Sequence, residues 1–219
     1  MISDPDSWSV CISSDVKLNF LVYVARAYSI CDEYFDKHGA WPDRQVVLPE
    51  QLHQELEAQW NDFWEGSIQR KAEAKFLQNA ASKSQTPDPA VSHTLFAHLN
   101  HSSASPFVLE PPHFAAIEHQ GLREALAAQW PCFIQWWNMP AGGQAAMHYW
   151  EGKPDIIRYV QEFEMEVGRR IQPFHLNVDL IYNGPTKPIE VTDEYVIMPI
   201  RTDYLMKQHW WSERFQEKY

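Results

Sequence analysis

The spacing of apolar residues changes once along this chain, and that change constrains the fold more than any other feature of the sequence. As far as Ile171, apolar residues recur every three or four positions, which is the spacing of one helix face. From Phe174 to Tyr182 every second residue is apolar, which predicts a half-buried strand. This order predicts an α+β protein, in which a helix-rich N-terminal two-thirds precedes a small antiparallel sheet and a C-terminal helix.

The N-terminal part, residues 16–80, is predicted to be helical. A stripe of apolar residues indicates a first helix over 16–38, although the segment LNFLVYVA within it is also rich in strand-forming residues. Gly39 supplies a C-terminal stop for that helix. Pro49 suits the first turn of a second helix, which Gly66 is predicted to break or bend.

The middle of the chain, residues 81–112, has a different composition. Proline and serine concentrate there and the periodicity weakens, which predicts a long connection with a short helix at about 88–100 inside it. The next helix is predicted over 114–130. Gly121 is expected to interrupt that helix, and Pro131 to end it.

The C-terminal part, residues 113–219, is predicted to hold the sheet. Pro154 opens a strongly periodic helix, and further strands are predicted at 189–191 and 195–200. Asp203 can cap a last helix. Because 45% of the 219 residues are hydrophobic, the chain can bury a substantial core, and a single domain over 1–219 is expected.

The net charge of −11 is the strongest global signal in the composition. Phosphate backbones need a basic surface, so no nucleic-acid partner is expected, whereas an acidic surface favours capture of a basic protein or simple solubility. The chain has no run of about 18 apolar residues, so no membrane association is predicted. Its acidic first residues do not resemble a secretory signal, and its three dispersed cysteines indicate buried free thiols, so a cytoplasmic protein is expected.

The motifs of the common nucleotide-binding and hydrolytic folds are missing. With only eight glycines, the sequence contains no GxGxxG, GxxxxGK[ST] or GxSxG. No catalytic residue and no cofactor is therefore assigned, and the sequence favours a protein that is not an enzyme. The sequence contains no internal repeat, and its oligomeric state stays open.

Histidines supply the alternative hypothesis, a metal-dependent enzyme or small-molecule binder. His98 and His101 are three residues apart and would share a helix face, as two ligands of one ion must, and His119 could be the third ligand. Histidine near a helix C-terminus is also favoured by the helix dipole without any metal. His175 and Asp179 could line a polar cleft on one sheet face, although such a row is more often the solvated side of a sheet.

Two pairs of adjacent tryptophans point to a binding surface. Trp136 and Trp137 form one pair, and Trp210 and Trp211 form the other. Adjacent side chains diverge by about 100° in a helix and point to opposite faces in a strand, so one layer of core cannot absorb both. One member of each pair is therefore expected to reach a groove, a partner or a second packed layer.

These features together predict a stoichiometric protein-binding module with an acidic, tryptophan-rich surface. The nearby acids Glu151, Glu162 and Glu166 are expected to contribute to that surface, and a basic protein is the expected partner. In composition, the chain resembles the immunity proteins that neutralise bacterial toxins. The resemblance implies inhibition by binding and assigns no residues.

Overall fold

The computed structural model describes residues 8–31, 45–83, 109–200 and 203–216, without the side chains of 81–83. The predicted helix at about 88–100 and the predicted stop at Gly39 lie outside these residues. Within them are four strands and six helices, in the order β1 (Ser9–Ser14), α1 (Val16–Ala27), α2 (Glu50–Lys83), α3 (Gln120–Trp137), α4 (Gly143–Glu151), α5 (Ile156–Val167), β2 (His175–Ile181), β3 (Ile189–Thr192), β4 (Tyr195–Pro199) and α6 (Gln208–Gln216). The α+β class, the helix-rich early part and the C-terminal helix are confirmed.

The sheet is mixed, and its strand order is β1-β2-β4-β3. Strand β2 pairs in parallel with both β1 and β4, and only β3 and β4 are antiparallel. The expectation of an antiparallel sheet therefore holds for one pair alone. Parallel partners need long connections, and the helices between β1 and β2 provide one. Because β2 lies between β1 and β4 and is packed on both faces, it is buried almost throughout instead of half-buried as predicted.

Helix α1 is the centre of the core. Every residue from Leu18 to Ala27 is buried, since α1 contacts α2, α3 and β2. A helix packed on all sides is apolar all round, which explains why LNFLVYVA also resembled a strand. The helix ends at Ala27, earlier than predicted, and Ser29 and Cys31 beyond it adopt positive φ angles of 53° and 56°. None of the helices in the described ranges combines the length and apolar character needed to cross a bilayer.

Helix α2 is one continuous helix of 34 residues, so the break predicted at Gly66 is wrong. Glycine inside a helix costs only about 1 kcal/mol relative to alanine. Apolar residues on both sides of Gly66, including Trp60, Trp64 and Ile68, are buried in the core and hold the helix together. Tertiary packing therefore outweighs the local preference.

Helix α3 also differs from the prediction. It begins at Gln120 and continues through Pro131 to Trp137. Proline removes one backbone hydrogen bond, but the turns on both sides of it are fixed by buried side chains such as Leu126 and Phe133. Phe114, predicted to start this helix, is fully buried in a loop with a φ angle of 50°.

A tight turn joins α3 to α4 beneath the ring of Trp136. The Trp136 carbonyl accepts a hydrogen bond from the Met139 amide at 3.2 Å. A Cβ atom on Gly143 would lie 2.4 Å from the Trp136 ring, and one on Gly142 would lie 1.9 Å from the Trp136 carbonyl oxygen. Only glycine fits at these two positions, because the backbone lies against the Trp136 carbonyl at Gly142 and against the Trp136 ring at Gly143.

The substitution Gly143→Ala is expected to lower the free energy of unfolding by about 1–3 kcal/mol, because the added methyl group overlaps the Trp136 ring. Chemical denaturation measures this change. The control is Gly152→Ala, since a Cβ atom there meets nothing within 4 Å. Equal stability of the two variants would show that Trp136 does not pack on Gly143 in solution.

Candidate functional site

The two members of each tryptophan pair differ in burial. Trp137 and Trp211 are buried, with exposures of 5% and 0%, whereas Trp136 and Trp210 are half-buried. The indole nitrogen of Trp211 donates to the carbonyl of Leu205 at 3.0 Å. The ring is therefore buried in the core with its N–H group hydrogen-bonded. Trp136 and Trp210 are the members of the pairs that keep accessible surface.

The three predicted acidic contact residues lie on α4 and α5. Glu151 accepts a hydrogen bond from the Ser14 hydroxyl at 2.7 Å and so joins α4 to β1. Glu162 lies 3.7 Å from Arg158 on the surface of α5. Glu166 is exposed on the same helix. Glu162 and Glu166 are therefore accessible, while Glu151 is engaged within the fold.

The predicted histidine cluster is described only in part. His98 and His101 lie outside the described residues, so a metal site there stays a prediction. His119 is exposed and immediately precedes α3. Among the residues that the structure describes, no three histidine, cysteine or acidic side chains come together to hold a metal ion. Cys11 and Cys132 are exposed and Cys31 is half-buried, so the free thiols are not buried as predicted.

The polar face of β2 is neither a solvated surface nor an open cleft. Asp179 is 2% exposed because α2 covers it. It accepts hydrogen bonds from the Ser13 hydroxyl at 2.9 Å and the Tyr195 hydroxyl at 2.8 Å, and the Lys71 ammonium lies 3.1 Å away. His175, at the start of β2, contacts the Ser9 hydroxyl instead. His175 and Asp179 therefore belong to separate contacts.

Lys71 lies between two carboxylates, because it also contacts Asp15 at 2.5 Å. Burial alone would lower the pKa of Lys71, but attraction to Asp179 and Asp15 raises it above its ordinary value. Burial alone would likewise raise the pKa of Asp15, but Lys71 and the amides of Leu18 and Lys17 lower it. Burial and the nearby Asp179 both raise the pKa of Tyr195.

This charged network connects elements of the fold to one another. A lysine whose pKa is raised stays protonated at neutral pH, and a protonated amine is not a nucleophile. The network joins α2, through Lys71, to β2 through Asp179, to the start of α1 through Asp15 and to β4 through Tyr195. It therefore fixes where the second half of α2 lies on the sheet.

An apolar groove opens where α2 extends beyond this network. We name it the α2 groove; its volume is about 780 Å³, and its lining residues are Gln69, Ala72, Glu73, Phe76, Leu77, Thr192, Asp193 and Glu194. Phe76 and Leu77 are 59% and 66% exposed, among the most exposed large apolar side chains in the described residues. Three carboxylates and no basic side chain line the groove. An apolar floor with an acidic rim is thus present.

The β3–β4 turn, which forms one wall of the α2 groove, is held from both sides. On the α2 side, the Asn79 amide donates to the Glu194 carboxylate at 3.4 Å. On the opposite side, the buried guanidinium of Arg214 in α6 donates to the carbonyls of Thr192 and Asp193 at 3.3 and 3.0 Å. Arg214 also pairs with Glu190 at 3.2 Å. The acidic wall is therefore fixed in position.

A second groove lies on the α6 side of the same hairpin. This α6 groove has a volume of about 480 Å³, and its lining residues are Glu190, Trp210, Glu213, Arg214 and Gln216. It contains Trp210, which the sequence singled out. Indole faces and carboxylates are both favourable surroundings for a cationic side chain.

Sequence reasoning did not identify the α2 groove. Ile68, Ala72 and Phe76 recur every four residues, which is the spacing of one apolar helix face. The structure buries Ile68 and Ala72 but leaves Phe76 exposed. The available signal was an apolar helix face continuing beyond the core, together with the acids Asp193 and Glu194 between two strands. Neither signal shows that the two segments meet.

Comparison with known proteins found no relative. No family model matches the chain, and no curated protein and no solved structure matches it significantly.

The substitution Lys71→Met is expected to lower the free energy of unfolding by roughly 3–5 kcal/mol, because it leaves Asp179 buried without its cation. Urea denaturation followed by tryptophan fluorescence measures the change. Lys207→Met is the control, since the Lys207 ammonium pairs with Asp203 on the surface, where an ion pair is worth about 0–1 kcal/mol. Similar stabilities of the two variants would contradict the role given to Lys71.

Acid is expected to destabilise the fold through Asp15. Because the pKa of Asp15 is lowered by folding, its contribution is complete above the unfolded value of about 3.9 and is lost as the pH falls through the folded value. Asp15→Asn should therefore flatten the dependence of stability on pH below about pH 4. Equal slopes for wild type and Asp15→Asn would refute the pairing with Lys71.

Proposed function

We propose that this protein is a stoichiometric protein-binding module that holds a basic partner in the α2 groove. The observation that carries the proposal is the combination of Phe76 and Leu77, both more than half exposed, with a rim formed by Glu73, Asp193 and Glu194. Exposed apolar surface of this kind, bordered by polar groups, is typical of sites for protein partners.

The two kinds of side chain contribute differently to binding. Apolar side chains that become fully covered contribute most of the affinity, and truncating such an anchor costs about 2 kcal/mol or more. Carboxylates at a rim mainly speed the encounter with a positively charged partner and select against acidic ones. The whole-chain charge of −11 acts in the same direction.

The biological outcome that we propose is inhibition of the bound protein, as immunity proteins neutralise toxins. Binding suffices for inhibition, so no catalytic residue or cofactor is required. The free thiols of Cys11, Cys31 and Cys132 support a cytoplasmic location, because a reducing compartment preserves them. Trp136, Trp210, Glu162 and Glu166 remain proposed as additional contacts, since all four keep exposed surface.

The test begins with the partner that wild-type protein captures from native lysate and that mass spectrometry identifies. Titration calorimetry with the purified partner then compares wild type with Phe76→Ala and Leu77→Ala. Each substitution should weaken binding about tenfold or more, and should change stability by less than about 0.5 kcal/mol because the side chains are exposed. Glu73→Lys should slow association, and more so at low salt.

Matched controls lie on the same helix. Leu52 is 52% exposed, so Leu52→Ala removes a comparable apolar side chain outside the groove. Glu55 is exposed on the same helix face as Glu73, about 27 Å away at 1.5 Å per residue. Leu52→Ala, the control for the apolar variants, and Glu55→Lys, the control for Glu73→Lys, should both bind like wild type. An acidic partner, or equal losses in the groove variants and the controls, would refute the α2 groove as the binding site.

A further inference from the structure

Strand β3 is an edge strand of the sheet and lies between the two grooves. It follows β4 as the last strand in the order, and no other strand of the described part of the chain pairs with its outer edge. Ile189 and Val191 are half-buried, whereas Glu190 and Thr192 are exposed. An edge strand presents backbone N–H and C=O groups to which another chain can bind.

The register places the two grooves on opposite faces of this edge. Asp179 faces α2, since it contacts Lys71, and its neighbour Ile197 in β4 lies on the same face. Glu190 pairs with Val196, the residue before Ile197, so Glu190 lies on the other face, where it contacts Arg214 of α6. Thr192 pairs with Tyr195 beyond a bulge and returns to the α2 face.

We infer that the partner binds as an extended segment added to the outer edge of β3, with alternate side chains entering the α2 groove and the α6 groove. This inference rests on the proposed function and specifies how the partner is held. Successive side chains of a strand point to opposite faces of the sheet. One strand paired with β3 therefore reaches both grooves at once.

The chemistry of the two grooves defines the segment. The α2 groove offers the apolar side chains of Phe76 and Leu77. The α6 groove offers Trp210 with the carboxylates of Glu213 and of Glu190, which also pairs with Arg214. The fitting segment alternates apolar residues with lysine or arginine. Its apolar face covers Phe76 and Leu77, and its cations lie against Trp210 and the carboxylates.

The same charges disfavour pairing between two copies of this chain. Five carboxylates and one guanidinium line the two grooves, so two β3 edges brought together would place like charges side by side. Acidic side chains on an edge strand suppress self-association by this repulsion. A basic strand avoids the repulsion, which is why a basic partner is the occupant that we infer.

The probe is a short peptide of alternating leucine and lysine, added to isotope-labelled full-length protein. NMR titration gives the affinity, and hydrogen exchange reports the amides of β3. We expect saturable binding and slower exchange of the amides within Ile189–Thr192. The same peptide with its strand-facing amides N-methylated should bind at least about tenfold more weakly, because it loses the backbone hydrogen bonds to β3. The variant Glu213→Lys should weaken binding, and a leucine–glutamate peptide should not bind.

Each contrary result has a distinct meaning. If the N-methylated peptide binds equally well and Phe76→Ala still weakens it, the α2 groove binds side chains only, and strand addition is overturned while the proposed function stands. If Phe76→Ala has no effect on any peptide or on the captured partner, both proposals fail. If β3 exchanges slowly without peptide and sedimentation shows a dimer, the edge pairs with a second copy, which overturns the inference.

Discussion

The rest of the structure depends on the pairing of Lys71 with Asp179 and Asp15. Asp179 lies in the middle of a buried strand, where an unpaired carboxylate would be strongly unfavourable. Lys71 compensates it and reaches Asp15 at the start of α1 as well. One ammonium thereby joins the longest helix, an inner strand and the central helix. A buried charge tolerates little displacement from its partner, so this contact defines the position of α2 on the sheet.

The position of α2 in turn creates the candidate site. Leu56, Trp60, Trp64, Ile68 and Ala72 of α2 are buried, but Phe76 and Leu77 are exposed beside the β3–β4 turn. Arg214 holds that turn by its carbonyls from the opposite face. The half-buried Lys71 and the buried Arg214 thus hold an apolar helix end against an acidic turn. The exposed surface has a defined shape because buried polar contacts lie beneath it.

Tryptophan is abundant here mainly because the core uses it. Trp60 and Trp64 stack on each other at 5.3 Å, and the Trp60 nitrogen donates to a carbonyl of α1 at 3.0 Å. Trp137 and Trp211 are buried as well. The density of aromatic residues therefore does not locate a binding surface. Exposure distinguishes Trp210, which lines the α6 groove, from its buried neighbour Trp211.

Local signals in the sequence predicted the α+β class, helix α5 and the strands β3 and β4 correctly, because the periodicity and turns of these elements lie within a few residues. The sequence also indicated that each tryptophan pair divides between inside and outside. Tertiary structure alone decided that α2 continues through Gly66 and α3 through Pro131, because packing outweighed a local cost of about 1–3 kcal/mol. It also decided that β1 pairs with β2, although Ser9 and His175 are 166 residues apart. The contacts of Lys71 with Asp179 and of Asn79 with Glu194 likewise depend on the tertiary structure. Such contacts join segments that are far apart in the sequence, and neither segment's own sequence indicates which distant segment it contacts.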